Sequence, residues 1–174
     1  MLSPDGGLPV LDQILHAVEA YLRHTPQGEF LRTARWGWPI FESLHFLGMS
    51  LLLGTVGVFD LRLLGFARRI PIAALHRLIP IGISGFFINF VTGICFISAT
   101  PDQYLFNKAF YWKVTFITIA GVNVMIFYAR TFRRLLETPS DSAPPLAARL
   151  AGGVSLLAWI GVMSAGRLLT FFRP

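Results

Sequence analysis

Cys95 is the only cysteine among the 174 residues, which excludes an internal disulfide, a paired-cysteine zinc or redox motif and the Cys-x-x-Cys-His attachment of c-type haem. Charge is sparse too. Asp, Glu, Lys and Arg make up 14% of the chain against 54% hydrophobic residues, and the mean hydropathy of +0.60 is too high for an ordinary water-soluble domain of this length. There is no P-loop, no Gly-x-Gly-x-x-Gly, no Gly-x-Ser-x-Gly and no internal repeat, so no catalytic residue is visible and an enzyme activity of the chain's own is not expected. The opening Met1-Leu2-Ser3-Pro4-Asp5-Gly6-Gly7 lacks the basic and apolar regions of a signal peptide. The first span is therefore expected to direct insertion itself, and the N-terminus to be retained.

What the chain does have is long apolar runs separated by charged clusters. Runs at about 37–59, 78–99, 109–129 and 150–172 each approach the ~20 residues that cross ~30 Å of hydrocarbon. The fold class expected is all-α: an integral membrane four-helix bundle, with residues 1–35 as an N-terminal segment and 36–174 as the four-span domain. Before the first span, Leu11, Ile14, Leu15, Val18 and Leu22 lie on one helical stripe, and Asp12, His16, Glu19 and Arg23 on the other. That is the pattern of an interfacial amphipathic helix, or of a surface that docks a partner. Pro26, Gln27 and Gly28 break it, and Trp36 and Trp38 mark the outer headgroup belt.

The net charge of +6 would point to nucleic acid in a soluble protein. Here most arginines flank apolar segments, where they set topology, and no nucleic-acid partner is expected. Arg62, Arg68, Arg69 and Arg77 lie between spans one and two, and Arg130, Arg133, Arg134 and Arg149 between spans three and four. The positive-inside rule then puts both connections in the cytoplasm and both termini on the outer side of the membrane. Asp5, Asp12, Glu19, Glu29 and Asp102 dilute the positive charge of Arg23, Arg32, Arg35, Lys108, Lys113, Arg167 and Arg173 on the outer side. The stretch Thr138 to Pro145 is a polar linker whose prolines end the third helix and start the fourth.

Ionisable groups in hydrocarbon cost roughly 2.5 to 3.5 kcal/mol each, so each asks for a partner or a function. Glu42, His45 and Met49 follow helical spacing on span one, Asn89, Thr92 and Cys95 sit in the outer half of span two, Lys113 near the outer end of span three, and Met163 and Arg167 on span four. The plainest account pairs Glu42 with Lys113 or Arg167, gives His45 a hydrogen bond to a facing carbonyl or to Asn89, and leaves Met49, Cys95 and Met163 as packing. The sharper account makes these groups a polar site for a quinone head group, a b-type haem or a metal.

A bis-histidine haem needs two imidazoles at one depth. His76 lies beside Arg77, roughly 20 Å of depth from His45. A haem on His45 would need a different second ligand, such as His16 or His24 folded back or a residue of another subunit. Copper(I) suits imidazole and sulfur, and His45, Met49, Cys95 and Met163 form a candidate set, although no Met-x-x-Met or Cys-x-Cys spacing occurs. Gly85, Asn89 and Gly93, and Gly161 with Ala165, mark faces expected to meet other helices, with Asn123 an interhelical hydrogen-bond donor.

The residues Trp38-Pro39, Glu42-Ser43-Leu44-His45, Gly54-Thr55-Val56 and above all Asp60-Leu61-Arg62-Leu63-Leu64-Gly65 resemble an uncharacterised bacterial integral-membrane family, a domain of unknown function. So do Thr92-Gly93, Pro101 with Tyr104, and Asn107-Lys108-Ala109-Phe110 followed by Lys113. The likeness runs from about Trp36 to Asn123. It implies four helices and points at Glu42, His45 and Lys113, but it carries no activity.

The expectation is an accessory subunit of a membrane electron-transfer or envelope complex, in which Glu42, His45, Asn89, Lys113 and Arg167 form an outer-leaflet site for a quinone or b-type haem. A structural or scaffolding subunit and a copper-handling protein are the alternatives. The bilayer, other membrane or periplasmic subunits, or a second copy of the chain are the partners expected.

Overall fold

A computed structural model describes residues 9–137 and 142–172, and these are helical with no strand. Asp5, Arg173 and the first half of the linker, residues 138–141, lie outside the described residues. Four helices are long and apolar enough to cross a membrane, covering Gly37–Leu63, Ile72–Ala99, Lys108–Leu136 and Leu146–Leu168. The protein is a multi-pass membrane protein.

The chain opens with α1 (Pro9–Arg23) and α2 (Pro26–Thr33). Pro26 ends the first helix as expected, yet it also starts the second, because a proline at the first helical position loses no hydrogen bond. Gly28 lets α2 approach the end of span two: a Cβ there would sit 2.4 Å from the Ser98 carbonyl oxygen. Arg32 fastens this contact, donating from Nη1 to the Ser98 and Ala99 carbonyls, both at 3.1 Å. A cation placed on helix C-terminal carbonyls is the favourable arrangement for the helix dipole.

The polar face of α1 turns toward the protein, and much of its apolar stripe stays outside. Arg23 bridges Glu19 at 2.8 Å and Asp102 at 3.1 Å, and the His16 ring lies 5.0 Å from Phe106. Leu11, Ile14 and Val18 remain exposed.

The first span is α3 (Gly37–Leu63). Of the two tryptophans expected in the headgroup belt, Trp36 is exposed, whereas Trp38 tucks inward, with ring centroids 5.0 Å from Phe96. At the other end, Arg62 does more than signal topology. It is 1% exposed, and its guanidinium holds the following turn through the Ile70 carbonyl at 2.9 Å and the Arg68 carbonyl at 3.2 Å.

Pro71 then caps α4 (Ile72–His76), and a turn leads into α5 (Ile79–Ala99). After the short α6 (Pro101–Leu105) comes α7 (Lys108–Ile126), capped by Asn107, whose Oδ1 accepts from the Ala109 amide at 2.9 Å. The same side chain donates to the Leu169 carbonyl at 3.1 Å and to the Phe172 carbonyl. One buried residue thus ties the start of the third span to the end of the fourth.

The third span runs past residue 129, where the apolar run ends. No proline or glycine interrupts it after Gly121, so it continues through a π-helical segment, Phe127–Thr131, into α8 (Phe132–Leu136). The extra residue per turn brings Tyr128 and Phe132 toward His76, with ring centroids 5.8 and 4.6 Å away. The fourth span, α9 (Leu146–Leu168), begins four residues before the expected 150. Pro145 supplies the extended cap, and Leu146, Ala147 and Ala148 are strong helix formers.

Helices α3 and α5 pack along much of their length, as do α7 and α9, and α3 also lies on α9, but α5 and α7 barely meet. The order round the bundle is α5, α3, α9, α7, with a lateral gap between the second and third spans. Close approach explains the tight pairs. A Cβ on Gly85 would lie 2.6 Å from the Gly48 carbonyl oxygen, and one on Gly161 would strike the Phe116 ring at 2.7 Å. Gly93 departs from the expected face, since nothing lies within 4 Å of a Cβ there. Dense cores close the two ends, around Leu31, Cys95, Phe96 and Ala99 at the end beside α2, termed outer, and Phe59, Leu63, Phe127 and Leu135 at the arginine-rich end, termed inner. Between them a hollow opens sideways between α5 and α7.

Candidate functional site

Two cavities occupy the hollow. The outer one has a volume of about 320 Å³ and is lined by His45, Met49, Asn89, Lys113 and Met163 among apolar neighbours. The inner one, of about 730 Å³, is lined by residues including Asp60, His76, Asn123 and Tyr128. Leu52, Phe86, Ile117 and Trp159 border both, so the two share a waist.

His45 lies roughly 12 Å, and Lys113 and Met163 about 8 Å, from the outer ends of their helices at about 1.5 Å per residue. The shared depth expected from the sequence therefore becomes a shared cavity for these residues. His45 Nδ1 is 2.7 Å from the Thr92 hydroxyl, and that hydroxyl also lies 2.7 Å from the Ile88 carbonyl oxygen. A carbonyl can only accept, so the single hydroxyl proton goes to Ile88 and the ring must donate from Nδ1. The lone pair is then on Nε2, the nitrogen left for the cavity.

Across from the imidazole, Lys113 forms no ion pair among the described residues. Asn89 donates from Nδ2 to the Gly85 carbonyl at 3.1 Å, while its Oδ1 is buried without a hydrogen-bond partner among the described residues. The outer cavity is thus lined by a cationic donor, the imidazole of His45 and the amide of Asn89 among apolar walls.

Three expected members stay out of it. Glu42 is exposed, one turn nearer the outer end than His45. It sits near Tyr104, whose hydroxyl is pushed up to about 12, chiefly by burial and in lesser part by the Glu42 carboxylate. Neither Lys113 nor Arg167 pairs with it among the described residues. Arg167 lies in the last turn of α9 and turns outward, its guanidinium 5.9 Å over the Phe171 ring. Cys95 is part of the outer core. Six residues beyond Asn89 it has rotated roughly 120° round the helix, away from the cavity.

His45 and His76 belong to different cavities, so no bis-histidine pair forms between them. His76 instead places Nε2 3.0 Å from the Tyr128 hydroxyl. Asn123 donates to the Ala151 carbonyl at 2.9 Å, the interhelical bond its position implied. Sequence reasoning missed the orienting role of Thr92 and the depth of Asp60. A hydroxyl three residues from a helical asparagine reads as ordinary back-bonding to its own helix. An aspartate two residues before an arginine reads as the wet end of a span.

A family model described as a family of unknown function, DUF6644, matches residues 34–172. That reaches beyond the stretch from Trp36 to Asn123 and takes in the fourth span. No curated protein and no solved structure matches the chain.

Proposed function

We propose that this chain, which belongs to the DUF6644 family of unknown function, is an accessory subunit of a membrane electron-transfer complex whose outer cavity receives a quinone head group. The observation that carries the reading is the polar set lining the cavity: the Nε2 lone pair of His45, the amide of Asn89 and the ammonium of Lys113. A quinone oxygen accepts from Lys113, and a quinol hydroxyl donates to His45 or Asn89. A volume of about 320 Å³ falls at the lower end of the roughly 300–1,000 Å³ typical of small-molecule pockets, and suits a single ring. The gap between α5 and α7 gives a lipid-soluble molecule sideways access. Electrons would come from another subunit.

In this reading residues 1–35 are an interfacial segment, and the exposed apolar stripe of α1 rests on the headgroup region or on a periplasmic partner. The arginine-rich connections face the cytoplasm of a bacterial inner membrane, and both termini face the periplasm. Haem is less well supported than quinone, because His45 is the only histidine among the cavity's lining residues. Copper is the second reading, favoured by Met49 and Met163 lining the same cavity as His45, without Cys95.

The test is protein purified in mild detergent, with its lipid extract assayed for quinone and Trp159 fluorescence titrated with a short-chain quinone. Saturable quenching, weakened at least tenfold in His45→Ala, supports the reading. Quinone-free extracts with no saturable quenching sink it. A Soret band in the purified protein would transfer the site to haem, and stoichiometric copper would transfer it to metal handling.

A further inference from the structure

Asp60 opens the most specific part of the family-like sequence, Asp-Leu-Arg-Leu-Leu-Gly, yet the outer cavity makes no use of it. It is 4% exposed, and it borders the inner cavity of about 730 Å³. One carboxyl oxygen takes a hydrogen bond from Ser155, and Oδ2 has no hydrogen-bond partner among the described residues. An acidic group near a helix C-terminus opposes the dipole of its own helix, so α3 offers it no compensation.

The nearby basic side chains are engaged elsewhere or stand at the rim. Arg62 points to the Ile70 and Arg68 carbonyls. His76 bonds the Tyr128 hydroxyl. Arg77 borders the cavity but is exposed and forms no ion pair with Asp60 among the described residues. Aromatic rings from four elements, Phe59, Phe86, Phe127, Tyr128 and Trp159, line the same cavity as Asp60.

We propose that the inner cavity is a binding site for a lipophilic organic cation, with Asp60 as its counter-ion and the surrounding rings as its walls. An unpaired carboxylate in apolar surroundings demands a partner. A singly charged, bulky cation supplies it, and the negative faces of aromatic rings hold the same charge. Such a molecule reaches the cavity through the gap between α5 and α7, by partitioning first into the bilayer. The inference stands apart from the quinone reading, since it uses neither His45 nor Lys113.

The experiment is equilibrium dialysis of tetraphenylphosphonium against the full chain in nanodiscs of zwitterionic phosphatidylcholine. Neutral triphenylphosphine oxide is the comparator. Saturable binding of one cation per chain is expected, at least tenfold tighter than the neutral compound, weakened at least tenfold in Asp60→Asn and about threefold in Phe127→Leu. His45→Ala leaves cation binding unchanged while weakening quinone binding at least tenfold, so the two readings fail separately. Equal affinity of wild type and Asp60→Asn, or of the cation and the neutral compound, overturns the proposal, as does absence of saturable binding. Should Asp60→Asn not assemble, the tenfold preference of the wild type for the cation decides alone.

Discussion

Thr92→Val replaces a hydroxyl that is 3% exposed by a methyl group of the same shape and removes the acceptor of His45 Nδ1. In the wild type that acceptor holds the ring proton on Nδ1 and leaves Nε2 as a lone pair. Without it nothing fixes the tautomer, and Nε2 becomes free to carry the proton. The consequence differs in sign for the two redox forms of the ligand. A quinol hydroxyl loses its acceptor on His45, whereas a quinone carbonyl gains a donor. One hydrogen bond is worth about 1 kcal/mol net, so each affinity changes by roughly fivefold and in opposite directions. The ratio of quinol to quinone affinity falls by about 2 kcal/mol, or roughly 30-fold. Anaerobic titration of Trp159 fluorescence with a short-chain quinone and its hydroquinone measures both constants on the same protein. Thr92→Ser, which keeps the hydroxyl, should retain the wild-type ratio. A ratio unchanged within threefold in Thr92→Val, or two affinities falling together, refutes the assignment of the proton to Nδ1.

Asn107→Ala removes a helix cap and strands two carbonyls at the end of the fourth span. It should cost about 2 to 3 kcal/mol, read as a lowered Tm in detergent. Asn107→Asp, which keeps the cap acceptor, should recover part of that loss, and a Tm equal to wild type in both variants would contradict the account. The α1 helix should loosen in acid. The Arg23 hydrogen bond holds the Glu19 carboxyl below its ordinary value of 4.5. A depressed folded-state value gives stability present above the unfolded value and lost as pH falls through the folded one, so the window lies below pH 4.5. Hydrogen exchange of residues 9–23, corrected for intrinsic rates, should speed up there in wild type and show no such step in Glu19→Gln. Finally, an impermeable thiol reagent should label Gln27→Cys in intact cells and Glu137→Cys only after lysis, and the reverse pattern would invert the topology.

Much of the architecture was legible because apolar length is a one-dimensional property. A run of about 20 residues crosses hydrocarbon whatever its neighbours do, so the four spans followed from composition and spacing alone. Their ends shifted where local chemistry decided, at Pro145 and through the π-helical segment that carries the third span to Leu136. The outer cavity was half legible. Depth along a helix can be counted from sequence, and His45, Asn89 and Lys113 share it. Azimuth cannot be counted without knowing which faces meet, and so Cys95, at similar depth, turned into the core instead.

By itself the sequence determined that this is a membrane protein of four helices with ionisable groups gathered at one depth. Hydropathy and the 1.5 Å rise act within a single chain segment and require no partner helix. Tertiary structure alone decided that the second and third spans stand apart, that Thr92 fixes the tautomer of His45, and that Asp60 faces a hollow rather than water. Each of these depends on which helix lies beside which, and Gly48 and Gly85 let two backbones approach closely while Gly161 makes room for the Phe116 ring.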